Sequence, residues 1–175
     1  MSGFPTPPRD IEDGEGRDIA LRVADDGDLD DLVAMYDVFD PADRAQGLPP
    51  VGESAIRTWV AGLLGAGADD GGPARAREGL NVAAWHADRV VGHATLVPDD
   101  DGHELAIFVH QEYQGAGIGT ELLDTLLGYG AEQGVERVWL TVERWNRAAV
   151  AVYEKAGFEI TDAESFELQM ARELH

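Results

Sequence analysis

Two periods of apolar residues divide the chain. Residues 18–24, DIALRVA, alternate as a strand does. The next run, DDGDLDDLVAMYDVF, changes to helical spacing through Leu29, Leu32, Val33 and Tyr36, and its leading acidic residues suit a helix N-terminus. Ile56, Trp59, Val60, Leu63 and Leu64 share one face of a second helix over 53–64. Beyond residue 79 a period of two takes over. LNVAAWHA (80–87) and VVGHATLV (90–97), parted by a short turn, predict an antiparallel hairpin, and the more apolar ELAIFVH (104–110) predicts a central strand. Ile118, Leu122, Leu123, Leu126 and Leu127 fall on one face of a helix over 117–133, with RVWLTV (137–142) as the strand after it. Strand, helix and strand in that order predict a right-handed parallel crossover. NRAAVAVYEKAGF (146–158) predicts a helix capped by Asn146 and stopped at Gly157, and FEI with SFELQMA closes the chain as a last strand pair.

The remaining stretches read as connections. Residues 1–16 are rich in proline, glycine and acids and predict a disordered lead-in to one domain over 17–175. DPADRAQGLPP (40–50) reads as a loop and GAGADDGGPARAREG (65–79) as a flexible linker. No run approaches the ~20 apolar residues of a membrane span, and the N-terminus lacks the basic and apolar regions of a secretory signal. There is no cysteine, which excludes disulfides, thiolate zinc sites and cysteine nucleophiles and leads us to expect a cytoplasmic setting.

Charge then changes the picture. Acidic residues number 34 against 13 lysines and arginines, giving a net charge of −21, and Lys155 is the sole lysine. The acids are spread along the chain. A dispersed acidic coat aids solubility at the cost of self-repulsion, and at molar salt, where the Debye length is ~3 Å, that repulsion is largely silenced. The expectation is a halophilic background. The same charge makes nucleic acid a poor partner.

Against that coat stands YQGAGIGTELL (113–123), with glycines at 115, 117 and 119 between an apolar strand and an amphipathic helix. Glycine is common in this chain (21 of 175), so glycines one residue apart mean little alone. The dinucleotide fingerprint fails because Thr120 stands where its last glycine belongs, and no Gly-Lys-Ser/Thr follows for a Walker loop. A tight turn needing positive φ is one reading. The other is an anion cradle, in which the N–H groups of 115–120 converge on a pyrophosphate.

FVHQEYQGAGIGTELL, followed by VWLTVERWNRAAVAVYEKAGF, resembles the GNAT superfamily of N-acetyltransferases. The likeness covers residues 80–171 and, more weakly, 18–64. It implies a mixed α/β (α+β) fold: a mostly antiparallel central sheet, one splayed parallel strand pair, and helices on both faces. It implies acetyl-CoA as co-substrate, with the pantetheine arm bonded to the backbone of Phe108 and Val109. Gln114, Gly115, Gly117, Gly119 and Thr120 would bracket the phosphates. Asn146 matches the family asparagine that reaches the coenzyme arm or the acceptor, a role compatible with capping its helix. Tyr153 matches the tyrosine that protonates the leaving thiolate, although an aromatic helix residue with a surface hydroxyl reads equally from spacing alone.

The acceptor amine must lose a proton before attack, so a base is needed. Glu104, at the start of the central strand, is the candidate that the resemblance favours. Relatives that acetylate protein lysines carry a glutamate in a similar setting. Its bland alternative is a solvated strand-end charge closing DDDGHE. Thr141 stands at a second family location for glutamate, and Glu143 is a reserve base. The implied function is acetyl transfer to a primary amine by direct attack in a ternary complex, with a protein lysine as acceptor. A small-molecule amine is the alternative, and a non-catalytic acetyl-CoA-binding module is the rival of another class. Acceptor specificity is assigned to 37–55 and 159–166, and the expected state is monomer or homodimer. His103 and His110 should face opposite ways and His86 and His93 could meet across their hairpin. No metal site is expected. The tryptophans read as core or interface residues, with Trp145 as a possible wall of the acceptor channel.

Overall fold

The computed structural model describes residues 3–41, 48–65 and 79–174. The central part of the predicted linker, 66–78, and residues 42–47 of the predicted loop lie outside the described residues. Eight strands form one sheet: β1 (Arg9–Glu12), β2 (Asp18–Val23), β3 (Leu80–His86), β4 (Arg89–Asp99), β5 (Gly102–Val109), β6 (Arg137–Glu143), β7 (Glu159–Ala163) and β8 (Glu167–Glu173). Their order is β1-β2-β3-β4-β5-β6-β8-β7, and every neighbouring pair is antiparallel except β5–β6, which is parallel. Among the described residues four α-helices complete the fold: α1 (Leu29–Asp37), α2 (Glu53–Leu63), α3 (Ile118–Glu132) and α4 (Arg147–Lys155). No helix among the described residues is long and apolar enough to cross a membrane.

The two periods read from the sequence become the two sides of the sheet. The leucine face of α3, with Leu122, Leu123, Leu126 and Leu127 fully buried, packs on Val82, Leu96 and Leu140. On the opposite side α1 and α2 bring Tyr36, Ile56 and Val60 onto Ala83, Trp85 and Phe108. Alternation explains the split along β5. Leu105 and Ile107 belong to the α3 side, while Ala106 and Phe108 belong to the α1–α2 side.

Two differences from the sequence reading concern the N-terminal third. The predicted lead-in contains β1, which pairs with β2 from Arg9–Leu21 to Glu12–Asp18. RDIE offers one apolar side chain, too little for periodicity to register. What recruits it is α3: Arg9 donates to Glu121 and Thr125 of that helix, at 2.8 and 2.9 Å, and Ile11 packs on the α3-side core. The predicted helix over 25–39 starts instead as a 3-10 turn at Asp26–Asp28. There Asp25 and Asp28 cap one another's backbone reciprocally before α1 begins.

Candidate active site

β5 is paired with β4 along its whole length, from Asp99–Gly102 to Gly92–Val109. With β6 it shares only His103–Val138 and Glu104–Trp139, although β6 itself is paired with β8 from end to end. The strands therefore part beyond Glu104, and two inner backbone edges are left unmatched. The direction of each group follows from one bond: the His110 N–H donates to the Val91 carbonyl at 2.9 Å. Because bonded partners alternate along an antiparallel pair, Glu104, Ala106 and Phe108 turn their backbone groups to β4, and Leu105, Ile107 and Val109 turn theirs the other way, Leu105 meeting β6 at the last rung and Ile107 and Val109 facing the gap. This corrects one expectation. Consecutive strand residues cannot both face the gap with their backbone, so Ile107 joins Val109 there and Phe108 contributes its ring. The Val109 carbonyl already accepts a bond of 3.0 Å from Gln114 Nε2.

A cavity of about 350 Å³ occupies the opening. Glu104, Ile107 and Phe108 line it from β5, Thr141 and Glu143 from β6, and Asn146 and Tyr153 from the start and body of α4. Burial raises the Glu104 pKa above the ordinary glutamate value, and the nearby Asp99 carboxylate adds to the shift. Asp99 is itself held by the Trp139 indole N–H at 2.8 Å. Burial also pushes the Tyr153 phenol up to about 12, so it keeps its proton through neutral pH and can donate it. Asn146 is the N-cap of α4, its Oδ1 accepting from the Ala149 N–H at 3.2 Å, and it lines the cavity as well. Among the described residues no group of three histidine, aspartate or glutamate side chains is arranged to hold a metal.

The glycine loop lies at the far end of β5. Gly115 and Gly117 adopt φ of 76° and 86°, and Gly117, in the left-handed region, is the N-cap of α3. There a β-carbon would be strained, which accounts for both glycines. The backbone N–H groups of Ile118, Gly119 and Thr120 are those that the first turn of a helix leaves without an intrahelical acceptor. Gly119 sits in that first turn with the Val109 side chain beside it, at 3.8 Å from where a β-carbon would stand, and Thr120 follows it. Gap-facing amides, unpaired loop donors and a cavity between them fit an elongated ligand with an amide arm and an anionic end. That is the shape of acetyl-CoA.

Several lining residues escaped the sequence reading. Trp59 and Leu63 of α2 wall the cavity, and Thr95 of β4 lines it fully buried, its Oγ1 without a hydrogen-bond partner among the described residues. The α2 wall is fixed by a buried polar chain with one possible direction. Asn81 Nδ2 donates to the carbonyls of Leu63 and Gly79, so its Oδ1 accepts from His93 Nε2 at 2.8 Å. His93 Nδ1 is then the acceptor for the Tyr36 hydroxyl at 2.6 Å. Burial lowers the His93 pKa to about 4, in keeping with a neutral ring. His86 bonds the Tyr113 hydroxyl instead of meeting His93. Trp145 is 62% exposed and stacks edge-on with Phe166, outside the cavity lining.

A mixed sheet whose one parallel pair parts over an anion-ready helix start defines a class: acyl transferases that lay a coenzyme arm between strands. The model of the acetyltransferase (GNAT) family matches residues 34–158, and the chain belongs to that family. An uncharacterized N-acetyltransferase of Mycobacterium tuberculosis is 36% identical over 89 residues, which are 50% of this chain and 57% of that protein. The mycothiol acetyltransferase of Propionibacterium freudenreichii is 37% identical over 91 residues, 49% of this chain and 29% of that one. The chain thus spans little more than half the length of the first relative and less than a third of the second. Among solved structures, the GNAT domain of S. lividans PAT superposes with a TM-score of 0.74 at 16% identity, covering 95% of this chain and 97% of that one. The spermidine N-acetyltransferase of Vibrio cholerae, solved with CoA and spermine, gives 0.67 at 18%, covering 89% and 95%. At such identities the likeness shows the fold.

Proposed function

We propose that the protein transfers the acetyl group of acetyl-CoA to a primary amine by direct attack in a ternary complex. The observation that carries this reading is the meeting of Glu104, Asn146 and Tyr153 around one cavity, at the point where β5 and β6 part. The pantetheine arm would bond the gap-facing backbone of Ile107 and Val109. The pyrophosphate would sit on the N–H groups of Gly115 to Thr120, beside Gln114. Glu104, a stronger base for its raised pKa, takes the ammonium proton directly or through water. The freed nitrogen lone pair attacks the thioester carbon. The carbon–sulfur bond then breaks, Tyr153 gives its proton to the departing thiolate, and the second proton that the nitrogen loses as the amide forms restores the phenol.

For the acceptor we favour a protein lysine. Glu104 opens an ELAIFV run like that of lysine-modifying relatives, and Leu48, Trp59 and Leu63 offer an apolar wall to an aliphatic stem. A small amine is the second reading, supported by the names of relatives that act on mycothiol or spermidine. The acidic composition supports a salt-rich cytoplasm, and the chain would act as a monomer or homodimer. A thiol-release assay with acetyl-CoA, small amines and a lysine-bearing protein tests the reading. Glu104→Gln and Tyr153→Phe should each lower turnover, by roughly 10²-fold or more for the base. Tight acetyl-CoA binding without thiol release on any amine would instead favour the non-catalytic module.

A further inference from the structure

The turn between β1 and β2 reaches the glycine loop. Its Gly14 N–H donates to the Ala116 carbonyl at 2.8 Å. The turn is held closed by Asp13, 6% exposed, which accepts from the N–H groups of Glu15 and Arg17 at 3.0 and 2.9 Å and from Arg17 Nε at 2.7 Å. Arg17 extends the grip: its guanidinium lies 4.1 Å over the Tyr113 ring and donates to the Glu112 carbonyl at 3.3 Å. Tyr113 is in turn fixed through its hydroxyl to His86 Nδ1 at 2.6 Å. Residues 112, 113 and 116 of the loop are thus all held from the same hairpin turn.

One consequence is directional. In a trans peptide the carbonyl and the following N–H point opposite ways. Anchoring the Ala116 carbonyl on Gly14 therefore turns the Gly117 N–H away from the turn, with nothing among the described residues to accept it. Gly117, being left-handed and without a side chain, could otherwise rotate this peptide at little cost. We propose that Asp13, Gly14 and Arg17 are positioning residues for the coenzyme, a brace that presets the loop's N–H groups toward the pyrophosphate. This rests on the reading of the loop as a coenzyme A cradle. The brace adds no net charge beside the phosphates, because Asp13 and Arg17 neutralise one another.

That neutrality makes Asp13→Asn decisive. The substitution removes a negative charge and leaves Arg17 unpaired, so simple electrostatics predicts tighter CoA binding, whereas a loosened brace predicts weaker binding. Gly14→Ala is the second variant. Its β-carbon would stand 3.3 Å from the Ala116 carbonyl, and the Gly14 backbone is outside the left-handed region, so the effect comes from the contact. Calorimetric titration of the 175-residue protein and both variants should use CoA and, separately, pantetheine, which lacks the pyrophosphate. CoA affinity should fall about tenfold in both variants, near 1.4 kcal/mol, while pantetheine affinity changes less than twofold. Unchanged or tighter CoA binding in both variants overturns the brace, as does an equal loss for CoA and pantetheine. A wild-type protein that binds no CoA would refute the cradle itself and the brace with it.

Discussion

Glu104 and His93 are both half or fully withdrawn from water, and burial acts on their protonation in opposite senses. For Glu104 the folded pKa is raised, so the native state binds its proton more tightly than the unfolded chain does. Its contribution to stability therefore declines as pH rises through the unfolded value toward the folded one. Glu104→Gln should accordingly lose turnover while melting at the same temperature or higher at neutral pH, a pairing that calorimetry and the thiol assay together check. For His93 the folded pKa is lowered to about 4 from 6.5, so stability is complete above 6.5 and is lost as pH falls through that window. The full loss is on the order of 3 kcal/mol, and His93→Gln, which can keep both bonds, should flatten the acid limb of a melting-temperature profile. Thr95 makes a third case. Its buried hydroxyl has no partner among the described residues, so the isosteric Thr95→Val should stabilise the apo protein, by about 1 kcal/mol in denaturant unfolding.

Among the elements, β5 carries the site because it has a partner along one edge and an opening along most of the other. Its apolar composition marked it as central before any coordinates, and the glycines at 115 and 117 marked the turn that follows. Which backbone groups face the opening was not legible in the same way. It depends on the hydrogen-bonding phase against β4, and a strand's sequence encodes the faces of its side chains, not the edge its amides address. Trp59 shows the same limit from another direction: its helical spacing placed it on a buried face, but whether that face met core or cavity depended on how α2 lies over β5. The edge strand β1 was invisible for want of apolar residues, since arginine contacts with a distant helix hold it. At the start of α3, Gly117→Ala would force a side chain into the left-handed region, at about 1 kcal/mol in stability, with a larger proportional loss in CoA affinity than in melting temperature.

For the whole molecule the question is how a chain of net charge −21 would hold a polyanion. A helix start acts over a few ångströms, whereas dispersed carboxylates act over a distance that salt sets. The Michaelis constant for acetyl-CoA should rise as KCl is lowered from molar toward 0.1 M, and the unfolding midpoint should fall over the same range. A salt-independent midpoint would remove the case for a halophilic background. The turn that holds the glycine loop precedes residues 34–158, the stretch that the family model matches.

The parting of β5 from β6 also divides the sheet mechanically. Five strands lie on one side and three on the other, joined within the sheet by two rungs at residues 103–104 and 138–139. α3 packs across the join, with Leu105 and Leu140 in one cluster. Without ligand, amide exchange should report two cooperative units, the β6–β8–β7 wing opening at lower free energy than the β1–β5 wing. A coenzyme arm in the gap would bridge both edges as a ninth, non-peptide strand. The two exchange rates should then merge, and the gain in stability should grow with the logarithm of ligand concentration over its dissociation constant.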